Sequence, residues 1–269
     1  EASGMFEAVA GGWRLTPLAR KYLLRASPDY WGGTFNGWRR YDFYQQIKAI
    51  FVSGETAHLH TARWAGGGDD PRTPLFLAAM QGMNRHAAQV LAADGRYAGL
   101  RRMLDVAGGS GCFAIEACRV NPALRCAVME LPGVVPHTAK YIAAAGMGGR
   151  VEAVACDMFA DEWPGGYDAV FLSNVLHDWD REVCMRILRR ARAALAPAGE
   201  VLLHEMVVPE RDGSEMAAQF SLIMFYRSEG RQWRLSELAA MLAEAGFEAP
   251  VAFPGAHAFR LVRAGRGAG

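Results

Sequence analysis

Three glycines, Gly108, Gly109 and Gly111, follow an apolar run that contains Met103, Leu104, Asp105 and Val106 and precede the helix-like stretch CFAIEACRV. A short strand, a tight glycine turn and a helix start together form a nucleotide-binding corner. Glycine lets a ligand approach the backbone, and the helix start offers unpaired N–H groups. Glu130 lies about twenty residues further on, where a carboxylate can accept from both hydroxyls of a ribose. Asp157 can accept from an adenine amino group while Met158 and Phe159 cover the ring. A dinucleotide would also suit the ribose contact, but the turn reads Ala107-Gly108-Gly109-Ser110-Gly111 and lacks the GxGxxG spacing.

These residues sit at the ends of a series of candidate strands, 102–106, 125–130, 151–155, 167–173 and 200–206, with helical stretches between them. Such alternation predicts right-handed crossovers and a mostly parallel sheet covered on both faces, with ligands beyond the carboxyl ends of the strands. The fold class expected is α/β, a Rossmann-like domain over residues 96–269, preceded by a mainly helical part over 1–95. Within that first part, GMFEAVAGGWRLTPLARKYL suggests two short strands and a helix, the shape of a winged-helix wing. A winged-helix regulator lacks support, because no lysine and arginine stripe is present for phosphate contacts. Leu75, Ala78, Ala79, Met83 and Ala87 recur near the helical period. If that helix roofs a cleft, Met80, Met83 and Asn84 can touch a flat apolar ligand.

The 269 residues are 51% hydrophobic and 21% charged, enough for a full core. A formal net charge of +1 gives no electrostatic reason to expect nucleic acid or an anionic membrane as partner. No apolar run reaches the ~18–20 residues that span a bilayer. Cys112, Cys118, Cys126, Cys156 and Cys184 are odd in number and scattered, and read as reduced packing residues of a cytosolic, cytoplasmic protein. The chain opens without methionine, as though cut into an existing domain, so further N-terminal residues are expected. The glycine-rich end RAGRGAG reads as flexible.

The ordered series LDVAGGSG, MELPG, CDMF, LSNVLHDWD, LLHEMV and GRQWRLSELAAMLAEAGF resembles the S-adenosylmethionine (SAM)-dependent O-methyltransferases that include plant caffeate-type and bacterial antibiotic-tailoring enzymes. The resemblance begins near Trp13 and extends to the last strand, and its most specific part is LHDW followed by HEM. It implies a small-molecule acceptor, S-adenosylhomocysteine as product, no required metal, and a homodimer whose N-terminal part helps roof the substrate pocket. Carried over, Asp105, Gly108, Gly109 and Gly111 face the cofactor with Glu130, Leu131, Asp157, Met158, Phe159, Ser173 and Asn174. His177 is the general base, Asp178 a neighbouring polar residue, and Glu205 the carboxylate that orients the imidazole. Met80, Met83, Asn84, Trp179, Met224 and Gln232 form the substrate pocket.

Three positions depart from the family pattern: Ala107 stands at the first glycine, Ser173 where plant members often have lysine, and Gln232 where a second glutamate is common. Gln232 can hydrogen-bond an imidazole but carries no charge. Methyl transfer from a sulfonium is an in-line displacement in which positioning does much of the work. A phenol with pKa near ~10 needs a base at neutral pH, and a histidine near ~6.5 can serve. A C-methyltransferase acting on an α-keto acid is the alternative, with His177, Asp178 and Glu229 holding a metal. A SAM-binding fold without transfer is the third reading. Asp178 can instead cap the following helix. His58 and His60 read as surface residues, and His204, alternating with Glu205, faces the opposite side of its strand.

Overall fold

The structure, a computed structural model, describes residues 5–32, 42–53, 64, 66–211, 215–256 and 258–267; His58 and His60 lie outside them. Strands β1 (Phe6–Val9) and β2 (Gly12–Leu15) form an antiparallel hairpin that leads into helix α1 (Pro17–Leu23). Thr16 caps α1 by accepting from the Ala19 N–H at 3.3 Å. Helices α2 (Asp42–Ser53) and α3 (Thr73–Ala93) follow.

Beyond α3 the order is β3 (Arg102–Val106), α4 (Cys112–Val120), β4 (Arg125–Glu130), α5 (Val135–Ala144), β5 (Val151–Ala155) and β6 (Tyr167–Ser173). Then come α6 (Arg181–Ala194), β7 (Leu195–Met206), α7 (Glu215–Arg227), α8 (Leu235–Glu244), β8 (Glu248–Pro254) and β9 (Phe259–Gly265). The sheet runs β5-β4-β3-β6-β7-β9-β8. β3 to β7 pair in parallel, whereas β9 pairs antiparallel with both β7 and β8. The strand order reverses between β3 and β6, which opens a crevice at their carboxyl ends. The expected α/β class holds.

Alternate residues of each buried strand feed opposite cores, as the two-residue period requires. Leu104, Val106, Val170, Leu172, Val201 and Leu203 meet α6 and α8 on one face. Met103, Val128, Phe171 and Leu202 meet α4 and the second half of α3 on the other. Helix α6 shows why the sequence folds so. Asp180 accepts from the Val183 N–H at 2.8 Å to start it, and Cys184, Ile187, Leu188 and Ala191 recur at helical spacing and are buried.

Two expectations need correction. The fifth strand begins at Leu195 rather than 200, through Pro197 and Gly199, with a register shift opposite Tyr167 to Ala169. The sheet also gains β8 and β9, where no strands were expected, because β8 is mostly exposed and lacks a buried run. No helix of the described residues is long and apolar enough to cross a membrane.

Phe171 is fully buried in the central strand, against Tyr97, Phe113 and His204. Phe171→Ala is expected to cost about 3–5 kcal/mol in urea unfolding. Val120→Ala, at an exposed helix end, should stay within about 0.5 kcal/mol.

Candidate active site

The site grows out of the glycine turn after β3. Ala107 and Gly109 have positive φ, 52° and 61°. Gly108 has no room for a side chain, since a Cβ there would lie 2.6 Å from Asp105 Cγ and 2.8 Å from Val128 Cγ1. Gly111, at φ 71°, stands at the start of α4. Three side chains hold the turn open. The Gly109 N–H donates to Glu130 Oε1 at 2.7 Å, Thr138 Oγ1 donates to the Gly109 carbonyl at 2.6 Å, and Ser110 Oγ donates to Gln81 Oε1 at 2.5 Å.

A cavity of about 310 Å³ lies over this turn, within the ~300–1,000 Å³ common for small-molecule sites. Its wall brings together Asp105, Gly108, Gly109, Glu130, Leu131, Asp157, Met158, Phe159, Ser173 and Asn174 from four strand ends; Gly111 is not a wall residue. Met80 and Asn84 reach the wall from α3, and Asp178 and Trp179 close the far end. Met83 and Met224 are not wall residues.

The electrostatics of this wall follow from burial. Asp105 is 1% exposed and its Oδ2 has no partner. Burial, then the neighbouring Glu130, pushes its carboxyl up to about 8. Burial also raises Glu130 to about 7, opposed by the Gly109 and Leu131 N–H groups. A buried acceptor facing a cavity, beside a turn too tight for any Cβ, fits a ligand that brings donors and positive charge. A SAM molecule offers both, with ribose hydroxyls, an ammonium and a sulfonium.

Asp157 uses Oδ1 to accept from the Phe159 and Ala160 N–H groups at 2.8 and 3.3 Å, which fixes its loop. Arg190 clamps the same loop by donating to the carbonyls of Met158, Phe159 and Asp161. Phe159 meets Trp179 edge to face, centroids 4.8 Å apart.

At the other end stands the histidine cluster. Glu205 Oε1 accepts from the Val175 and Leu176 N–H groups at 3.0 and 2.9 Å. This fixes the turn (176–178) that carries His177. Gln232 Nε2 lies 3.2 Å from His177 Nδ1, Glu205 Oε2 lies 3.7 Å from the same atom, and Asp178 Oδ1 lies 3.8 Å from Nε2. Burial raises Glu205 to about 8 and Asp178 to about 7. His177 is buried and adjoins the cavity through Asp178 and Trp179. The Asp180 side chain, not Asp178, caps α6, which corrects the capping alternative.

The alternative metal set is not assembled. Glu229 is exposed and opens on a separate groove of about 750 Å³, beyond Gly230 and Trp179. Among the described residues no three His, Cys, Asp or Glu side chains are placed to hold an ion. His204 faces away from Glu205, stacked on Phe259 at 4.8 Å, with Nδ1 2.9 Å from Ser173 Oγ. Burial lowers it to about 3.

Sequence reasoning missed Leu77, Gln81, Thr138 and Arg190. Leu77 and Gln81 were findable, because 77, 80, 81 and 84 share one helical face and Met83 falls off it. Thr138 and Arg190 carry no local signal.

A cofactor whose ribose hydroxyls met Glu130 and whose ammonium met Asp105 would need both ionised, so its affinity should weaken as pH falls. S-adenosylhomocysteine is expected to bind tightest above pH 8 and to weaken as pH falls through 8 and then 7, the raised values of the two groups in the free protein. Glu130→Gln should bind about tenfold more weakly at pH 8 and lose the lower part of this dependence. Calorimetry across pH measures both.

An O-methyltransferase domain model matches residues 48–248. The chain is 35% identical over 254 residues to the 3-hydroxy-5-methyl-1-naphthoate 3-O-methyltransferase of Streptomyces sahachiroi, covering 91% of this chain and 72% of that one. The mitomycin biosynthesis 6-O-methyltransferase of Streptomyces lavendulae is 27% identical, covering 92% and 69%. In fold it matches the mitomycin 7-O-methyltransferase structure with TM-score 0.83 at 25% identity, covering 98% of this chain and 80% of that one. With the glycine turn, the carboxylates and the histidine cluster in the expected order, the chain belongs to the O-methyltransferase domain family and is a SAM-dependent methyltransferase.

Proposed function

We propose that this enzyme methylates a hydroxyl of an aromatic or polyketide-like small molecule in secondary metabolism, with His177 as general base. The observation that carries this reading is the continuity of the site. One cavity extends from the glycine turn and Glu130 to Asp178 and Trp179, the two residues that follow His177 on the turn fixed by the Glu205 clamp. The named relatives act on a hydroxynaphthoate and in mitomycin biosynthesis, which favours a flat acceptor. Met80, Phe76, Trp64 and Trp179 supply an apolar wall for one.

Bound SAM supplies an activated methyl group. In this reading Asp105 meets its ammonium, Glu130 its ribose, and Asp157 with Met158 and Phe159 its adenine. The chain then has to hold the acceptor hydroxyl beside that methyl and take its proton on His177 Nε2, while Glu205 keeps the ring on its turn.

Residues 1–95 form the dimerisation and roof part in this reading, and 96–269 the cofactor domain, although α3 shares a core with the sheet. Phe6, Trp13, Leu18 and Phe51 are exposed in the first part, apolar side chains that a homodimer could cover. The five buried thiols suit a reducing, cytoplasmic setting.

His177→Ala is expected to lower turnover about 10²–10⁴-fold with cofactor affinity nearly unchanged. Full turnover in that variant overturns the assignment. Light scattering at micromolar concentration should report about twice the chain mass of 29.3 kDa; a monomer would remove the dimer.

A further inference from the structure

The histidine cluster contains an arrangement that bears on which acceptors the enzyme can use. The loop 228–234 lies flat on the His177 turn, where a Cβ on Gly230 would come within 2.0 Å of the His177 carbonyl oxygen. Gln232 is pinned there. Its N–H donates to Ser221 Oγ at 3.2 Å, and the indole of the next residue, Trp233, donates to the Leu176 carbonyl at 3.0 Å. The side chain of Gln232 is therefore held against His177 Nδ1, and it is 1% exposed.

Asp178 from its own turn, Glu205 from β7 and Gln232 from the loop before α8 face the ring. The charge of Arg227 acts on Asp178 and favours its ionised form. Of the three, only the amide is within hydrogen-bonding distance of Nδ1; Glu205 Oε2, at 3.7 Å, is not. A histidine that removes a proton with Nε2 must carry its own proton on Nδ1. The partner of that proton is then the amide carbonyl oxygen, with the amide turned so that Oε1 faces the ring. In the opposite amide orientation the NH₂ donates to Nδ1 and fixes the proton on Nε2, which cannot then act as a base. The amide therefore permits both tautomers, whereas a carboxylate in its place would accept from Nδ1–H only. The amide thus lets part of the population hold its proton on Nε2, where a carboxylate would keep it on Nδ1.

We infer that Gln232 sets acceptor specificity, restricting the enzyme to hydroxyls more acidic than a simple phenol, such as those conjugated to a ring or quinone carbonyl. This rests on the reading of His177 as base. In the transfer, the acceptor oxygen forms a C–O bond while the methyl–sulfur bond breaks, its electron pair staying on sulfur to give the neutral thioether. The hydroxyl proton goes to Nε2. A base only one of whose two tautomers can accept contributes less to that proton transfer than one held in the accepting form, so an oxygen that gives up its proton readily gains the advantage.

The test is a series of hydroxyarenes of matched size, with hydroxyl pKa values from about 10, that of a simple phenol, down by about three units. S-adenosylhomocysteine formation is followed in the native enzyme and in Gln232→Glu, and S-adenosylhomocysteine affinity is measured in both. In the native enzyme kcat/KM should rise at least about threefold for each unit by which the hydroxyl pKa falls. In Gln232→Glu the slope should flatten to less than about twofold per unit, the gain falling on the least acidic acceptors. The limb of the pH–rate profile that reports the base should move to higher pH, and cofactor affinity should stay the same. A native rate independent of acceptor acidity, or one that rises with hydroxyl pKa, overturns the inference, and this measurement stands even if the variant does not fold. A folded Gln232→Glu with the native slope also overturns it. If His177→Ala transfers methyl groups as fast as the native enzyme, the assignment of the base fails instead, and this inference falls with it.

Discussion

The clamp made by Glu205 is the contact on which the working end of the molecule depends. One carboxylate oxygen accepts two consecutive backbone N–H groups, those of Val175 and Leu176, just after the chain leaves β6. That chain has passed through Asn174 at φ 55°, a left-handed conformation that asparagine adopts more readily than other non-glycine residues. The Asn174 N–H donates to the His204 carbonyl at 3.1 Å, so β7 enforces the turn from two neighbouring residues. Leu176, in turn, gives its carbonyl to Trp233 and anchors the loop that carries Gln232. Removing the clamp would disturb His177, its amide neighbour Gln232 and the far wall of the cavity together.

This dependence explains how the carboxylate can serve two ends. Backbone N–H groups hold Oε1, so the position of Glu205 is set by the fold rather than by the histidine. Its other oxygen is buried and without a partner, close to the ring but outside hydrogen-bonding distance. Burial favours the protonated form of such a group. The neighbour at Nδ1 therefore gains importance, and the chain places a neutral amide there.

Much of this was legible in the sequence because the central strands are buried on both faces and read as continuous apolar runs. β3 to β6 therefore have the expected bounds. β8 was not legible: its residues are mostly exposed, and it is held by pairing with β9 rather than by burial. The start of β7 was hidden by Pro197 and Gly199, which read as a break although the ladder continues around them. In the site, residues at strand ends could be read because parallel topology gathers them at one edge. Thr138 and Arg190 could not, since each acts on a backbone carbonyl about 30 residues away in sequence, and nothing local encodes that pairing.

The same gathering has an energetic consequence for the free protein. Asp105, Glu130, Asp178 and Glu205 are brought to one edge by the topology, and burial is the first cause of the upward shift in each. A carboxyl whose folded value is raised above its unfolded value binds more protons in the folded state. Its effect on stability is absent well below the unfolded value near 4, grows as pH rises, and is a full destabilisation above the folded value, here about 7 to 8. At neutral pH the edge thus costs the free protein stability that hydrophobic burial elsewhere has to offset. A ligand that brings hydroxyl donors and positive charge relieves part of that cost by binding the ionised forms of Asp105 and Glu130. The edge is thus electrostatically unfavourable in the free protein, and the Glu205 clamp, made to backbone N–H groups, holds its far end in register.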